Sequence, residues 1–241
     1  MDVAWEEQGW ERLGEGVGRR RLPVWDATVG LVVGERGALL FDTGSTLREG
    51  AEVRREAEAL LGGGRGVTHI ALSHPHFDHV LGTAAFPRAA VYAAAGPGLP
   101  PGPDRDALRE DAVRHGVERG EAAEAAAALR QADREVAGEL TLDLGGRSVV
   151  LCDVGPGHTA RDLALLVAGP APVVFCGDLV EESGRPQAGP DAVPARWPDA
   201  LDRLLRLGGG EAVYVPGHGA AVDAAFVRAQ RGELAARFGV S

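Results

Sequence analysis

A cluster of metal-binding side chains places the strongest constraint on this chain of 241 residues. Four His or Asp side chains fall within six residues, directly after the apolar run 67–72. Such a run is typical of a buried strand, and ligand sites in layered α/β folds lie at the carboxyl ends of strands. The spacing therefore predicts a metal site and not a helix face. The four residues are His74, His76, Asp78 and His79.

Three isolated residues extend this cluster. His158, Asp178 and His218 each follow a predicted strand and lie beside glycine. A ligand at a strand end needs a sharp backbone turn and a close approach, which glycine gives without strain. Five of the seven histidines of the chain fall in these motifs, and only His69 and His115 do not.

The ligand types indicate two divalent metal ions. Imidazole and carboxylate suit Zn²⁺, Fe²⁺ and Mn²⁺, and seven such ligands are too many for one tetrahedral ion. Zinc is the favoured metal, with iron and manganese as alternatives. In an extended loop the first two histidines can point to one ion, and the last two residues, after a bend, can face a second. The expected sets are His74, His76 and His158 for one ion and Asp78, His79 and His218 for the other, with Asp178 able to bridge both.

The order of strands and helices predicts an α/β fold. Both halves of the chain run strands first and close with a helix, which indicates two sheets face to face with helices outside, a four-layer αββα sandwich. The predicted strands are 10–13, 17–22, 29–33, 38–41, 67–72, 89–93, 139–144, 148–154, 163–167, 173–176 and 212–215. The predicted helices are 46–61, 80–86, 104–136, 198–207 and 223–238, and a loop is predicted at 97–103. A break of the third helix near Gly116 or Gly120 is the alternative to one continuous helix.

Length and charge limit the organisation and the partners. The chain fits a single domain, 1–241, in which the helix at about 104–136 is an insertion. Its net charge of −10, from 25 basic and 35 acidic residues, argues against nucleic acid and membrane as partners and leaves a small-molecule substrate.

No targeting or membrane-spanning segment is evident, so a cytoplasmic location is expected. Cys152 and Cys176 lie in apolar runs and are expected to be buried, reduced thiols. The oligomeric state is not indicated.

Four motifs, in this order, resemble the signature of the metallo-β-lactamase-fold hydrolases. The resemblance spans roughly residues 10–225 and implies the αββα fold and the same seven ligands. An early Asp42-Thr43-Gly44 also resembles a family motif whose carboxylate supports the metal loop, although a capping role for Asp42 competes with that interpretation. The four motifs are His74-x-His76-x-Asp78-His79, Gly157-His158-Thr159, Gly177-Asp178 and Pro216-Gly217-His218-Gly219.

Comparison of individual positions narrows the branch of the family. Asp178 stands where the zinc β-lactamases typically carry Cys or a non-ligand, which resembles the glyoxalase II, lactonase and general hydrolase branches. Only 23 residues follow His218, whereas glyoxalase II has a long helical region there for its glutathione thioester. Acyl-homoserine lactonases carry Tyr three residues after the bridging Asp, where this chain has Glu181.

The favoured hypothesis is a dinuclear metal-dependent hydrolase. A metal-bridging hydroxide would cleave a small ester, thioester, lactone or amide, with Asp78 and Asp178 as the catalytic residues. The alternative is a mononuclear iron oxidoreductase that resembles the persulfide dioxygenases, with iron held by His74, His158 and Asp178. A metal-storage or scaffold role is disfavoured because no interaction module is evident.

Three further side chains have competing interpretations. Trp25 and Trp197 could form walls of the substrate pocket, although packing in the core is the commoner role of a partly buried Trp. Glu181 could line the pocket or be a solvated surface residue.

Overall fold

The computed structural model describes residues 5–95 and 103–240. The predicted loop at 97–103 lies outside these residues except for its last member. The strands are β1 Glu11–Gly14, β2 Val17–Arg21, β3 Thr28–Val33, β4 Ala38–Phe41, β5 His69–Ala71, β6 Ala90–Ala94, β7 Arg134–Val136, β8 Glu139–Asp143, β9 Ser148–Asp153, β10 Leu163–Val167, β11 Val173–Glu181 and β12 Val213–His218. The helices are α1 Leu47–Leu61, α2 Phe77–Val80, α3 Pro103–Arg114, α4 Arg119–Ala128, α5 Trp197–Gly208 and α6 Ala224–Phe238.

The strands form two sheets of mixed direction. The larger sheet has the order β1-β2-β3-β4-β5-β6-β7, and the smaller has the order β12-β11-β10-β9-β8. Strands β4, β5, β6 and β7 run parallel to one another, and β11 runs parallel to β12. All other neighbouring pairs, including β3 with β4, are antiparallel. The carboxyl ends of β4 and β5 therefore lie at one edge of the larger sheet, and those of β11 and β12 lie at one edge of the smaller sheet.

A core of apolar side chains joins the two sheets. Because side chains alternate across a strand, Val32 and Leu39 face the second sheet while Leu31 and Leu40 face the opposite way. The Phe41 and Phe175 rings meet between the sheets with centroids 5.6 Å apart. This alternation explains why both faces of these strands are apolar in the sequence.

Helices cover the outer face of each sheet. Helices α1, α3 and α4 pack on the larger sheet, where Val53 and Ala57 of α1 are buried. Helices α5 and α6 pack on the smaller sheet, where Leu201 and Leu204 of α5 are buried. The layers are therefore helix, sheet, sheet and helix, and the predicted αββα sandwich is confirmed.

The segment predicted as helix from 104 to 136 breaks at Gly116, one of the two expected break points, and ends in a strand that was not predicted. Helix α3 ends at Arg114, and Gly116 then takes a positive φ of 102° before α4 begins. Residues 134–136 form β7, which extends the larger sheet by pairing with β6. The Ala, Glu and Arg composition favours helix, but the open edge of β6 offers backbone partners that outweigh this local preference. The division into one domain with an insertion stays a prediction.

Two smaller expectations concern the cysteines and the helices. Cys152 and Cys176 are both buried and free, as predicted. None of the helices in the described parts of the chain has the length and apolar character needed to cross a membrane.

The two sheets approach closely at Gly30, so a larger residue there is expected to disturb their packing. A Cβ at Gly30 would overlap the Phe175 ring, so Gly30→Ala is expected to destabilise the fold by about 1–3 kcal/mol through overpacking. Urea denaturation would measure this change. Gly14→Ala is the matched control, because Gly14 also lies in a strand and nothing lies within 4 Å of a Cβ there. Equal stability of the two variants would contradict the proposed contact.

Candidate metal centre

The loop after β5 turns at His76. His76 itself is extended, with φ of −99° and ψ of 152°, and it is followed at once by the helical turn of α2. The helix predicted at 80–86 is displaced: α2 spans Phe77–Val80, so Asp78 and His79 lie on it, and a 3-10 turn follows at Thr83–Ala85. The turn at α2 is the predicted bend between the first two ligands of the loop and the last two.

All seven predicted ligands meet at one edge of the sandwich. They fall into two groups, in each of which one nitrogen or carboxylate oxygen per residue lies within 4.8 Å of those of the others. Five of the seven are buried, and the other two are partly buried. The first group is His74, His76, His158 and Asp178, and the second is Asp78, His79 and His218.

Asp178 lies between the two groups. Its Oδ2 atom is 3.7 Å from His74 Nε2 and 3.5 Å from His158 Nε2, both in the first group. The same carboxylate lies 3.2 Å from His79 Nε2 and 3.3 Å from His218 Nε2 in the second group. One carboxylate therefore faces imidazole nitrogens of both groups.

Irregular backbone gives Asp178 this position. The sequence pattern ends the strand at Cys176, but β11 continues to Glu181 with a register shift around Gly177. Gly177 has a positive φ of 55°, and such a bulge re-aims the side chain that follows it. On the neighbouring strand β12, a Cβ at Gly217 would overlap Asp178 Oδ1. Glycine at 217 is therefore what allows the carboxylate to enter the site.

Backbone carbonyls fix the rings of two histidines. Nδ1 of His218 lies 2.7 Å from the Trp25 carbonyl oxygen, and Nδ1 of His158 lies 3.0 Å from that of Gln187. Since a carbonyl only accepts, both Nδ1 atoms carry the proton. In the neutral form of each ring, Nε2 therefore carries the lone pair and faces the site.

Asp42 fixes two further histidines through its two oxygens. It accepts hydrogen bonds from the Ser73 amide and hydroxyl, each at 2.7 Å, and from His79 Nδ1 at 2.9 Å. Because the Ser73 hydroxyl donates to Asp42, it accepts from His74 Nδ1 at 2.8 Å. His74 and His79 thus also direct Nε2 lone pairs into the site. Asp42 has the contacts expected of support for the metal loop.

His76 is oriented by a residue that the sequence analysis missed. Its Nε2 lies 3.0 Å from Asp191 Oδ2, so it donates there and leaves a lone pair on Nδ1. That Nδ1 is 3.0 Å from His158 Nε2, which carries a lone pair as well. Two lone pairs at this distance repel each other unless a proton or a metal ion lies between them. Asp191 lies in an exposed loop, and nothing in its local sequence indicates this role.

Three buried atoms of the site have no hydrogen-bond partner. Among the described residues six buried side-chain atoms are unpartnered, and half of them are His74 Nε2, His79 Nε2 and Asp178 Oδ1. A buried polar atom without a partner costs about 1–3 kcal/mol, so three in one place need an explanation. Divalent metal ions bound by imidazole and carboxylate would satisfy all three. The residues therefore fit the ions that the sequence predicts.

Charge and burial give the histidines two kinds of protonation behaviour. Burial lowers the pKa of His158 to about 4 and holds that of His74 well below its usual range. Burial also opposes the charged form of His218, but the carboxylates of Asp178 and Asp78 outweigh it and raise this pKa to about 11. The same carboxylates, against burial, raise the pKa of His79. Metal binding at the second group would therefore displace protons.

The site opens into a cavity of about 850 Å³. This volume lies in the range of small-molecule sites, about 300–1,000 Å³. Trp25 lines it, whereas Trp197 is fully buried and donates its Nε1–H to the Leu179 carbonyl. Glu181 also lines it, and burial together with the charge of Asp178 raises the pKa of Glu181 to about 7. Trp25 and Glu181 therefore line the pocket, whereas Trp197 packs in the core.

Helix α3 forms part of the cavity wall. Ala107, Leu108, Asp111 and Arg114 of this helix line it, as does His115 directly after the helix. The sequence places this segment at an edge of the fold, with a smaller chance that it shapes the pocket. The structure thus assigns it the second role, which depends on tertiary contacts that periodicity does not reveal.

Comparison with known proteins identifies the family. A family model for the metallo-β-lactamase superfamily matches residues 22–218. The chain belongs to this superfamily. The match contains all seven predicted ligands. Members bind divalent metal ions, and membership together with the two ligand groups supports a metal-dependent hydrolase activity in general.

Solved metallo-β-lactamases share the fold of this chain at low identity. The enzyme FIM-1 from Pseudomonas aeruginosa, in its mono-zinc form, has a TM-score of 0.67 at 19% identity, over 96% of each chain. The metallo-β-lactamase from Pontibacter korlensis has a TM-score of 0.68 at 21% identity, over 93% of this chain and 97% of that one. A search of curated proteins gives no match.

The contacts of Asp42 predict a loss of metal affinity when its charge is removed. In Asp42→Asn an amide nitrogen replaces one of the two accepting oxygens, so either Ser73 or His79 loses its partner. Zinc binding is expected to weaken about 10- to 100-fold, measured by competition with a chromophoric chelator.

Asp26→Asn is the control for Asp42→Asn. Asp26 and Asp42 are the two non-glycine residues with positive φ in the described chain, at 59° and 63°. Asp26 pairs with Arg21 at the surface, so its substitution tests the backbone conformation without the hydrogen bonds to the metal loop. Unchanged zinc affinity in Asp42→Asn would show that this carboxylate does not support the site.

Proposed function

We propose that this chain is a dinuclear metal-dependent hydrolase that cleaves a small ester, thioester, lactone or amide. The observation that carries the proposal is the position of the Asp178 carboxylate between two groups of imidazole nitrogens. A single ion would leave one of the groups unused. Zinc is the favoured metal because it suits imidazole and carboxylate ligands in a site without thiolate.

The seven side chains would have distinct tasks. His74, His76 and His158 would hold one ion, and Asp78, His79 and His218 the other, with Asp178 shared. Two bound ions would supply a water of lowered pKa and polarisation of the substrate carbonyl. Asp78 and Asp178 would supply the two carboxylates among these ligands. No Ser or Cys nucleophile is required from the chain.

The residues around the ligands would hold the geometry during turnover. Asp42, Asp191 and two backbone carbonyls fix the ring of every histidine in the site. Such prior orientation lowers the cost of reorganisation when charge develops on the substrate. The cavity over the ligands would admit a small molecule and exclude a polymer.

The branch is proposed from position 178. A carboxylate there favours a general hydrolase or a glyoxalase II-like enzyme over a typical zinc β-lactamase. The solved structures named above are metallo-β-lactamases. Because their sequence identity to this chain is low, the similarity supports a shared fold and not a shared substrate.

A mononuclear iron oxidoreductase is the weaker alternative. Iron held by His74, His158 and Asp178 would leave the second group without a purpose. His79 Nε2 would then stay buried without a partner, and its ring would still be held by Asp42. Oxygen uptake with a glutathione persulfide would favour this alternative over hydrolysis.

The dinuclear proposal predicts the metal content of variants. Elemental analysis of the zinc-reconstituted protein is expected to give two ions per chain, and one in Asp78→Ala and His218→Ala. Each variant is expected to lose about 100-fold or more in kcat/KM for ester hydrolysis, since the metal activates the water. Removal of metal with a chelator should abolish activity, and zinc should restore it.

His69→Ala is the matched control for these variants. His69 lies on β5 outside the site and stacks on Tyr92 with ring centroids 5.9 Å apart. Its variant should keep both ions and full activity. One ion in the parent protein, or unchanged activity in both ligand variants, would rule out the dinuclear mechanism.

A further inference from the structure

The walls of the cavity differ in charge and polarity in a way that bears on the substrate. Beyond the ligands, Asp111, Glu181 and Asp191 add three carboxyl groups to the lining. Beyond the ligands, the basic side chains among the lining residues are Arg114 and His115. The cavity therefore has an excess of negative charge before any metal ion is counted.

Arg114 is already paired. Its Nη2 lies 2.8 Å from Asp111 Oδ1, one turn earlier on α3, and both side chains line the cavity. This pairing occupies the one arginine that lines the cavity. The segment 96–102, which lies outside the described residues, contains no basic side chain in the sequence. All 25 basic residues of the chain are arginine, so no lysine can take this role elsewhere.

Part of the cavity lining is aromatic and apolar. The Trp25 and Phe77 rings meet edge to face with centroids 5.3 Å apart. The His115 ring stacks on the Phe77 ring, with centroids 5.4 Å apart. Leu108 of α3 adds an aliphatic surface to the same cavity. These side chains belong to three separate elements, so the wall is held from several sides.

We infer that the site selects uncharged acyl compounds that carry an apolar or aromatic group, and discriminates against substrates that carry a second, anionic group. This inference rests on the proposed hydrolase function and names its substrate class. The apolar group would contact Trp25, Phe77 and Leu108. With the acyl group at the metal ions, a free carboxylate farther along the substrate would meet Asp111, Glu181 and Asp191, and the one arginine of the cavity is already paired.

Matched esters test the discrimination. 4-Nitrophenyl butyrate and mono-4-nitrophenyl succinate differ by a terminal methyl group in place of a carboxylate. The succinate carboxylate also attacks its own ester carbonyl and releases 4-nitrophenolate without enzyme, so the uncatalysed rate of each ester is subtracted. The metal-loaded protein is then expected to hydrolyse the butyrate with a kcat/KM at least about tenfold higher, and this ratio should shrink as salt screens the carboxylates. A succinate that reacts as fast as the butyrate would overturn the inference.

Asp111→Asn tests the pairing of Arg114 directly. It frees the guanidinium and removes one negative charge from the cavity, so the succinate-to-butyrate ratio of kcat/KM should rise about fivefold. Asp106→Asn is the matched control. Asp106 pairs with Arg109 at the same i,i+3 spacing on α3, at 2.6 Å, but does not line the cavity. A ratio that stays constant in Asp111→Asn, or that rises equally in both variants, would count against the inference.

A binding measurement separates this inference from the proposed function. Benzyl butyl ether and 3-(benzyloxy)propanesulfonate have no acyl bond to cleave, and sulfonate is a poor zinc ligand. Calorimetry with the metal-loaded protein should show the ether binding at least about tenfold tighter. Trp25→Ala should weaken the ether about tenfold through loss of the aromatic contact.

The outcomes of the two arms are distinct. If no ester is hydrolysed by protein that carries its full metal content, the hydrolase proposal fails, and the binding pair still decides charge selection. Equal affinity for the ether and the sulfonate, or unchanged ether affinity in Trp25→Ala, would overturn the inference even in an active enzyme.

Discussion

The crowding of five imidazole rings around one carboxylate is the constraint on which the site depends. Four histidines direct Nε2 towards the single carboxylate of Asp178, and a fifth places its Nδ1 3.0 Å from His158 Nε2. The protein holds each of these rings from behind, through Asp42, Ser73, Asp191 or a backbone carbonyl. Such an arrangement is stable only if positive charge lies among the nitrogens, and so the surrounding structure serves to hold an electrostatically demanding centre in place.

The ligands were predictable because most of their information is local. His74 to His79 lie within six residues after one strand, and the other three ligands lie beside glycines whose role is geometric. The residues that orient the ligands were less predictable. Asp42 has a motif of its own, but Asp191 lies in an exposed loop without one. Backbone carbonyls leave no trace in the residue type, so the partners of His158 and His218 could not be read from the sequence.

The fold shows the same contrast: elements determined by local sequence were predicted, and elements determined by distant strands were not. The strands at 29–33 and 38–41 are short apolar runs, and their alternating burial in two layers matches the pattern. Strand β7 was missed because its three residues become a strand only through pairing with β6. The extension of β11 to Glu181 was missed because its bulge at Gly177 resembles the end of a strand. In both cases a neighbouring strand decides the structure, and that neighbour is distant along the chain.

Trp25 shows how a binding surface can change while the metal centre remains. Its side chain lines the cavity, whereas its main-chain carbonyl holds the ring of His218. Gln187 has the same division, with a side chain on the cavity and a carbonyl on His158. Substitution at either position alters what the cavity contacts but leaves the carbonyl in the chain. Substitutions at these two positions can therefore change substrate preference during evolution while the hydrogen bonds to the histidine ligands remain.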